Sequence, residues 1–396
     1  MNKVILLRYG EIHLKGKNRG FFESSLIKNI QSAIKKIDIN AKIKKASSRY
    51  LVDGFESENL NRLIDTLSKI FGLVSLSICT EVENNPEVIS KTLKQLIENG
   101  NFDQLEVANS FKVDVRRADK KFPIQSNEFE RQLGGVVLDK YPDLKVNLTN
   151  PESTVFVDIR ENGKTFIFAD KIKCVGGMPV GTSGKALVML SGGIDSPVAT
   201  YMMAKRGLKL SAVHFHSYPY TSEQAKQKVI RLAEILTPYT GEINFYCVSF
   251  TKIQEEIHKN CKSDYMIAIM RRIMMRICEK LSEKYGFQAV ITGENLAQVA
   301  SQTVESMTAT ESVLENLPVF RPVIGFDKQE IVEIAKQIGT FETSIQPYED
   351  CCTVFLPKSP IIKPKLQNVE REESKIDIEF LVEQALENIE VIKIGV

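Results

Sequence analysis

The sequence predicts an α/β protein in which an α+β N-terminal part precedes a doubly wound parallel sheet. Before residue 170, β-rich runs and helical patterns alternate irregularly, with several strands in succession. Beyond a glycine-rich stretch at 176–184, single strands alternate with helices, which is typical of a parallel sheet. The run Leu190–Pro197, LSGGIDSP, stands between the first of these strands and its helix.

The composition is that of a globular protein with room for two or three domains. The chain has 396 residues, of which 43% are hydrophobic and 26% charged, and its net charge is +2. It shows neither a membrane-spanning apolar run nor a signal peptide, so we expect a cytoplasmic protein with no membrane partner. The seven cysteines lack a CxxC pair, which favours a reducing compartment and argues against a zinc module.

The N-terminal part is predicted to hold two α+β segments, and the first has the alternation of a ferredoxin-like fold. Its predicted strands are Lys3–Tyr9, a pair within Lys42–Phe55, and Ser75–Val82, and its helices are Phe21–Ile37 and Leu60–Phe71. In the second segment the predicted strands are Ser110–Arg116, Lys145–Leu148, Thr154–Arg160 and Lys164–Ala169, and the helices are Glu87–Glu98 and Phe129–Lys140.

The C-terminal part is predicted to form the parallel sheet, and its tail beyond Gln367 a charged amphipathic helix. The predicted strands are Ala186–Leu190, Leu208–His214, Ile243–Ser249, Ala289–Thr292 and Val319–Val323. The predicted helices are Pro197–Arg206, Glu223–Leu236, Ile253–Lys259, Met266–Tyr285, Gln298–Met307 and Lys328–Ile338. Since ligands bind at the carboxyl ends of such strands, the candidate nucleotide residues are 191–196, 214–215 and 293–295.

The loop within LSGGIDSP is predicted to bind a Mg²⁺–nucleotide pair. Its backbone N–H groups and the dipole of the following helix favour an anion. Gly192 and Gly193 permit close approach of a phosphate, while Ser191 and Ser196 add hydroxyl donors, with Ser196 also suited to cap the helix. Asp195 repels phosphate unless a cation lies between them, so we predict that it holds Mg²⁺. The sequence contains no Walker A motif, and the alternative is a glycine turn that merely begins a helix.

Positive charge is concentrated near the N-terminus, where residues 1–50 contain twelve Lys and Arg against three acidic residues. The loop 116–123, RRADKKFP, adds four cations and Phe122. Such loops bind phosphates and stack a base on an aromatic ring, whereas solvated surface charge is the alternative. The predicted polyanion contacts are Lys15, Lys17, Arg19, Arg116, Arg117, Lys120 and Lys121.

Motifs along nearly the whole chain, in the same order, resemble those of the tRNA sulfurtransferases that make 4-thiouridine. SGGIDS at 191–196 is similar to the PP-loop of ATP pyrophosphatases. The other motifs are RYGE at 8–11, LKGKNR at 14–19, DVRRADK at 114–120, GMPVG at 177–181, ITGENLAQVASQT at 291–303, RPVIGFDK at 321–328 and EDCC at 349–352.

This resemblance implies a ferredoxin-like domain over residues 1–58, a THUMP domain over 59–166, a linker over 167–184 and a PP-loop domain over 185–396. It implies that the substrate is tRNA, which the basic N-terminal half binds and the PP-loop domain modifies at uridine 8. ATP and Mg²⁺ are the implied cofactors. The implied ATP contacts are Met189, Leu190, Ser191, Gly192, Gly193, Ser196, His214, Phe215, Arg271, Gly293 and Gln302. For His214 we expect a backbone contact with adenine rather than a role as general base.

The chemistry implied by the resemblance has two steps. Uridine O4 attacks the α-phosphate of ATP, with Asp195 positioning Mg²⁺ and Lys328 stabilising the phosphoryl charge. A thiolate or persulfide sulfur on Cys351 then displaces AMP, although a lone cysteine is otherwise more often a buried structural thiol. Because Glu349 and Asp350 raise the pKa of that thiol, a cation such as Lys358 or Arg321 must offset them.

Some members of this family carry a C-terminal rhodanese-like domain, and we expect that this chain lacks one. Three sulfur routes are then open: direct loading of Cys351 by a cysteine desulfurase, loading in trans by a separate rhodanese, or sulfide bound to an Fe–S cluster. In the first route Cys352 or another thiol resolves the resulting disulfide. The cluster is not favoured, because Cys174 and Cys261 have no ligand motif.

The resemblance also implies a homodimer and, as in some relatives, sulfur transfer to a carrier protein for thiazole synthesis in the thiamine pathway. Two other functions are weighed against this one: another adenylating PP-loop enzyme, including an amidotransferase, and a non-catalytic tRNA-binding protein. The sequence shows no glutaminase domain, which argues against amidation. The joint presence of Ser191, Asp195, Lys328 and Cys351 argues against a non-catalytic protein.

Overall fold

The structure is a computed structural model that describes residues 2–46, 49–299, 301–348, 355, 357 and 359–395. The chain forms two compact units. The first contains residues up to 19 together with 27–176, and the second contains residues 20–26 and those from 177 onward. Within the described ranges, no helix is long and apolar enough to cross a membrane.

In the described part of the first unit, nine strands form one mixed sheet in the order β2-β3-β1-β4-β8-β7-β5-β6, with β9 also paired to β4. Strand β4 has eleven residues and pairs with β1 along its length and with β8 through Thr80–Glu83. The two predicted α+β segments therefore share one sheet. Strands β1–β9 are Asn2–Tyr9, Lys42–Ala46, Arg49–Asp53, Leu73–Glu83, Ser110–Arg117, Lys145–Val146, Ser153–Ile159, Lys164–Phe168 and Ile172–Lys173.

The first five α-helices, α1–α5, are Arg19–Lys35, Leu60–Ser68, Pro86–Glu98, Gln104–Val107 and Ser126–Lys140. A 3-10 helix over Glu11–Asn18 precedes α1. Helix α3 begins where the Asn85 side chain accepts hydrogen bonds from the N–H groups of Glu87 and Val88. Its apolar face packs with that of α5 on strands β5 and β7, where Leu93, Phe129 and Val155 are fully buried.

The second unit contains a six-stranded sheet in the order β14-β13-β10-β11-β12-β15. All neighbouring strands are parallel except β12 and β15, which are antiparallel. Strands β10–β15 are Lys185–Met189, Lys209–His216, Ile243–Ser249, Val290–Ile291, Val319–Phe320 and Glu390–Ile394. Helices α6–α14 are Asp195–Lys205, Glu223–Thr240, Thr251–Asn260, Met266–Tyr285, Val304–Glu311, Lys328–Gln337, Phe341–Ser344, Leu366–Glu373 and Ile378–Glu387.

Helix α9 is the central helix of the second unit's core. Ile269, Ile273 and Ile277 recur at helical spacing and are fully buried. The same helix also buries Arg272, whose Nε donates to a Glu373 oxygen at 3.0 Å. Because a buried guanidinium needs a counter-charge, this contact with Glu373 fixes α13 against α9.

The structure adds the short elements α4, α12 and β9 to the predicted ones and shortens the predicted strand Val319–Val323 to β14. Three further differences have an identifiable cause. Helix α10 begins at Val304 and not at Gln298, because the Thr303 side chain caps it by accepting from Ser306 N. Strand β6 ends at Val146, since the Asn147 side chain accepts from the next turn.

The third difference is the tail, which holds two helices and a strand rather than one helix. Helix α13 ends at Glu373, and the Asp377 carboxylate starts α14 by accepting from Phe380 N at 3.1 Å. The segment Glu390–Ile394 then adds β15 to the edge of the sheet, with Ile394 opposite Ile243.

Replacing Glu373 by Gln is expected to lower the free energy of unfolding by about 3 kcal/mol at pH 7, because Arg272 loses its buried counter-charge. Burial raises the pKa of Glu373, but bonds and charges from Arg276 and Arg272 outweigh it, so the pKa is lowered overall. A carboxyl group whose pKa is lowered by folding stabilises the fold at pH values above its unfolded pKa of about 4.3. That stabilisation is lost as the pH falls from there through the folded-state pKa.

Urea denaturation at pH 7, 5 and 3.5 measures this effect. The difference between wild type and variant is expected to be equal at pH 7 and 5 and smaller at pH 3.5. Glu370→Gln is the matched control, because Glu370 lies on the same helix at 3.9 Å from Arg272 but is half exposed. A Glu373 variant as stable as this control would contradict the role given to the buried pair.

Candidate active site

The loop between β10 and α6 folds onto itself through two serines. Ser196 Oγ accepts a hydrogen bond from Ser191 N at 3.0 Å and donates to the Ser191 carbonyl at 3.3 Å. Gly193 N donates to Ser191 Oγ at 3.3 Å. Helix α6 begins at Asp195 after Ile194, so the prediction that Ser196 caps the helix is wrong. Its hydroxyl instead closes the loop from within the first helical turn.

Gly293 beside this loop and Gly193 within it leave space for different neighbours. A Cβ on Gly293 would lie 2.6 Å from Ser196 N, so only glycine lets the end of β13 pack against the first turn of α6. A Cβ on Gly193 would meet Ser191 Oγ at an ordinary 3.6 Å, and Gly193 has no positive φ. The space over Gly193 is thus not needed by the described chain, which leaves it open to a ligand.

A cavity of about 260 Å³ lies over this loop, at the carboxyl ends of β10, β11 and β13. It brings together every implied ATP contact except Gly192, which lies in the loop beside it, whereas Ile194 and Asn295 of the candidate ranges do not line it. The predicted residues that line it are Met189, Leu190, Ser191, Gly193, Asp195, Ser196, His214, Phe215, Arg271, Gly293 and Gln302. The side-chain Oε1 of Gln302 is buried and has no hydrogen-bond partner in the structure.

Asp195 is held by a cation and an amide. Lys328 Nζ lies 2.6 Å from one carboxylate oxygen, and Gln298 Nε2 donates to the other at 2.9 Å. The described residues contain no group of three His, Cys, Asp or Glu arranged to hold a metal ion. A single carboxylate suits Mg²⁺ that takes its remaining ligands from phosphates and water, so Asp195 fits the predicted role.

Lys328 reaches Asp195 because two features fix the start of α11. Asp327 and Glu330 form a reciprocal capping box at the helix N-terminus. The buried side chain of Asn295 donates to the carbonyls of Val323 and Phe326 in the preceding turn. The end of β13 therefore positions the lysine through its asparagine.

Glu294 is a buried carboxylate, 3% exposed, that lines the same cavity. One of its oxygens accepts from Arg271 Nη2, and the other accepts from Thr292 Oγ1 at 2.9 Å and Arg321 Nε at 2.8 Å. Burial raises the pKa of Glu294, but the charges of Arg271 and Arg321 outweigh it and lower the pKa overall. The sequence placed Glu294 at a strand end but gave no sign of either arginine contact.

His214 is buried beneath the cavity, and its Nδ1 lies 3.2 Å from the Leu190 carbonyl. This contact joins the ends of β10 and β11. The ring nitrogen thus faces a backbone carbonyl, and the expected backbone contact of His214 with adenine stays a prediction.

The predicted nucleophile Cys351 lies outside the described residues, as do Cys352, Glu349, Asp350 and Lys358. Burial raises the pKa of each described cysteine: to about 12 for Cys174, to about 11 for Cys247 and Cys261, and further for Cys79 and Cys278. These five thiols are therefore protonated at neutral pH.

Described residues on both sides of 349–354 are anchored. Buried Lys228 donates to the carbonyls of Gln346 at 2.9 Å and Tyr348 at 3.4 Å. Phe355 stacks on His258 with a centroid distance of 4.7 Å. Before this stretch, Ser344 Oγ donates to the Gly193 carbonyl at 3.2 Å, which joins α12 to the loop of the cavity.

The seven predicted polyanion contacts all lie in the first unit, where the structure gives two of them an internal role. Arg19 Nη2 donates to Tyr9 Oη at 2.5 Å, and Arg117 Nη1 donates to the carbonyls of Phe122 and Ile124. Arg117 therefore fixes the conformation of the loop on which the neighbouring lysines are exposed. The predicted contacts with exposed side chains are Lys17, Arg116, Lys120 and Lys121, while Lys15 is half-buried.

The prediction that Phe122 stacks a base is wrong. Its ring is 4% exposed and packs against Phe129 in the core, at a centroid distance of 5.3 Å. The sequence could not distinguish a core aromatic from an exposed one within so basic a loop.

A cationic cluster on the sheet of the first unit was missed by the sequence analysis. Arg49 and Arg160 both donate to the buried carboxylate of Asp158, the latter at 2.5 Å. Arg8 packs over the Phe168 ring at 5.0 Å, and burial lowers its pKa to about 10. Lys171 lies 3.7 Å from the Phe156 ring centroid. These residues come from strands or turns far apart in the chain, so no local motif could reveal them.

Comparison with known proteins gives consistent matches along the chain. The family model described as thiamine biosynthesis protein (ThiI) matches residues 181–378, half of the chain. A ThiI ferredoxin-like domain matches residues 4–77, and a THUMP domain matches 83–170. A probable tRNA sulfurtransferase from Acetivibrio thermocellus is 48% identical, with 100% of this chain and 99% of the relative covered. One from Alkaliphilus oremlandii is 44% identical, with both chains covered completely.

Two solved structures are similar over most of the chain. The crystal structure of a 4-thiouridine synthetase–RNA complex with bound ATP is 38% identical with a TM-score of 0.91, and both chains are covered completely. The structure of PH1313 from Pyrococcus horikoshii Ot3 is 26% identical with a TM-score of 0.65, covering 86% of this chain and all of that one.

Replacing Gly293 by Ala is expected to displace the first turn of α6 and so to weaken binding of a non-hydrolysable ATP analogue by about tenfold or more, because the new methyl overlaps backbone. Isothermal titration calorimetry measures the affinity, and circular dichroism checks that the variant is folded. Gly134→Ala is the matched control, since a Cβ there meets nothing within 4 Å. Equal affinity of the two variants would show that the Gly293 contact does not shape the cavity.

Proposed function

The chain belongs to the tRNA sulfurtransferase family, and we propose that it uses ATP to convert uridine 8 of tRNA to 4-thiouridine. The observation that carries this proposal is the cavity at the strand ends, which is lined by residues of the loop 191–196 and by Arg271 and whose Asp195 is paired with Lys328. A bound nucleotide needs an apolar wall for its base, and cations and N–H donors for its phosphates, and the cavity offers both.

In the first step the chain's residues activate the C4 oxygen of uridine by adenylation. The oxygen forms a bond to the α-phosphorus of ATP, and the bond to pyrophosphate breaks. Mg²⁺ on Asp195 would neutralise charge on the phosphates. Lys328, released from its contact with Asp195, stabilises the charge that develops on the transferred group. The loop N–H groups hold the phosphates in place.

In the second step the terminal sulfur of a persulfide on Cys351 bonds to C4, and AMP leaves with the former O4. A second thiol, Cys352 or another, then attacks the Cys351 sulfur, which frees 4-thiouridine and leaves a disulfide for later reduction. The raised pKa values of the five described thiols argue against each of these five as the nucleophile. A cysteine desulfurase is the proposed sulfur source, with a rhodanese in trans as the second route.

The first unit is proposed to bind the tRNA. Lys17, Arg116, Lys120 and Lys121 are exposed there, and Arg8, Arg49, Arg160 and Lys171 extend the cationic surface across the sheet. Cations spread over a rigid sheet suit a phosphate backbone, which presents charge at regular intervals. We also propose that the protein is a cytoplasmic homodimer, as expected above.

A second function, sulfur transfer to a carrier protein for thiazole synthesis, is favoured by one observation. The family model that matches residues 181–378 is described as a thiamine biosynthesis protein. The chemistry is similar, because sulfur would attack the carbonyl carbon of an adenylated carboxylate terminus on such a carrier, as it attacks C4 of the adenylated uridine, and AMP would leave in both cases.

Anaerobic turnover with tRNA, Mg²⁺–ATP, cysteine and a cysteine desulfurase tests the main proposal. Wild type is expected to form 4-thiouridine, seen by its near-ultraviolet absorbance, and Cys351→Ala is expected to lose at least 100-fold in rate because it lacks the nucleophile. Cys261→Ala is the matched control, since that thiol is half-buried and donates to the Glu372 carbonyl.

The outcomes separate the parts of the mechanism. Product from wild type and from Cys351→Ala at equal rates would move the sulfur to another thiol or to free sulfide. AMP formation that depends on tRNA but gives no thiouridine would support adenylation and show that the sulfur donor was missing. Neither AMP nor product from wild type would contradict the proposed function.

Reversing two charges, Lys120→Glu with Lys121→Glu, is expected to weaken tRNA binding and reduce the slope of log Kd against log salt by about 1.5 to 2, as two phosphate contacts are lost. Filter binding between 50 and 300 mM salt measures both quantities. Lys280→Glu with Lys284→Glu changes the net charge equally on α9 of the second unit and is expected to leave the slope unchanged. If both double variants changed tRNA binding equally, net charge alone would explain the effect, and the assigned tRNA-binding surface would be refuted.

A further inference from the structure

We propose that Glu294 is a positioning residue that orients Arg271 toward the nucleotide and thereby sets the affinity of the cavity for ATP. This inference rests on the proposed function and deepens it, because it concerns the same site. Glu294 itself lines the cavity, and of its two arginine partners Arg271 lines it as well whereas Arg321 does not, so we assign its effect to Arg271.

The Glu294 carboxylate is itself fixed in direction. Thr292 Oγ1 and Arg321 Nε both donate to Oε2, at 2.9 and 2.8 Å. Arg321 is held in turn by Glu311, 2.8 Å from its Nη1. With Oε2 held on this side, the plane of the carboxylate is fixed, and Oε1 accepts from Arg271.

Arg271 needs such a partner because it is a long side chain at the edge of an open cavity. It projects from α9, lines the cavity and has 18% of its side chain exposed. Among the described residues, Glu294 is its one hydrogen-bond partner. A guanidinium has five N–H donors, so one bond to Glu294 leaves others for a phosphate. Fixing the side chain before the ligand arrives removes an entropy cost from binding.

The arrangement places the Arg271 end of a charge network at the cavity. Glu294 divides its contacts between Arg271 and Arg321, and Glu311 lies against Arg321 on the other side, so the carboxylate that holds Arg271 is itself shared with a second cation. Since Glu294 is 3% exposed, solvent does not screen these contacts as it does at the surface.

Glu294→Gln keeps the shape and removes the charge, and it is expected to raise the Kd of a non-hydrolysable ATP analogue by about tenfold or more. Its KM for ATP is expected to rise with it, while kcat at saturating ATP changes less than threefold, because the residue does not touch the reacting atoms. Glu279→Gln is the matched control: it removes a carboxylate from the same helix as Arg271 that accepts from Glu315 N outside this network, and its Kd is expected to stay within twofold of wild type.

Introducing Glu294→Gln into an Arg271→Ala background isolates the path of the effect. If Glu294 acts through Arg271, the second change alters the Kd less than twofold. An undiminished loss in that background, or a Glu294→Gln enzyme that binds like wild type, would overturn the proposal. Should the Gln variant fail to fold by circular dichroism, Glu294→Asp takes its place, with the same expected dependence on Arg271.

The wild-type titration separates this inference from the proposed function. Wild type that binds no ATP analogue would contradict the nucleotide site itself and with it the role of Glu294. Wild type that binds, alongside a Glu294 variant unaffected in Kd, would leave the nucleotide site standing and overturn the positioning role alone.

Discussion

The close approach of Gly293 to the first turn of α6 is the constraint on which the second unit's site depends. With no side chain at that position, the end of β13 reaches the backbone of Ser196, and the residues that follow Gly293 are delivered to the loop. Glu294 then meets Arg271, and Asn295 holds the turn that leads to Lys328. Three adjacent residues at one strand end thus act on three different parts of the cavity. A parallel sheet favours this arrangement, because the carboxyl ends of its strands lie along one edge.

The charged groups around the cavity are paired before any ligand arrives, and this sets how they respond to one. Lys328 lies against Asp195, whereas Arg271 lies against Glu294. The first pair is half exposed on its lysine side, so exchange of Asp195 for a phosphate costs little desolvation. The second pair is buried and held by further bonds, so Arg271 keeps its carboxylate while it contacts a ligand. The two cations therefore have different proposed duties: Lys328 moves with the reaction, and Arg271 provides a fixed charge.

The sequence predicted those parts of the site whose cause is local. A strand, the residues SGGIDS and a helix are contiguous, so the loop and its cavity follow from their order. Where two nearby polar groups competed, sequence reasoning chose wrongly: Ser196 closes the loop instead of capping α6, and Thr303 rather than Gln298 sets the start of α10. The tail was mistaken for one helix, because the pairing of Ile394 with Ile243 joins residues that are far apart in the chain. The contact between Glu294 and Arg271 is equally long-range and carries no sequence signal.

The first unit applies the same principle to a surface. Strand β4 joins the two halves of its sheet, so Arg8 on β1, Arg49 on β3 and Arg160 after β7 are fixed in one rigid frame. Asp158 gathers two of these cations and neutralises part of their mutual repulsion. Without that carboxylate, Arg49 and Arg160 would lose the counter-charge that they share. A frame that holds cations at fixed spacing can match the spacing of phosphates, whereas Lys120 and Lys121 on the loop 118–124 add charge on long, exposed side chains that can adjust to them. Rigid and adjustable cations on one unit suit a folded RNA, whose backbone is regular in its helices and irregular between them.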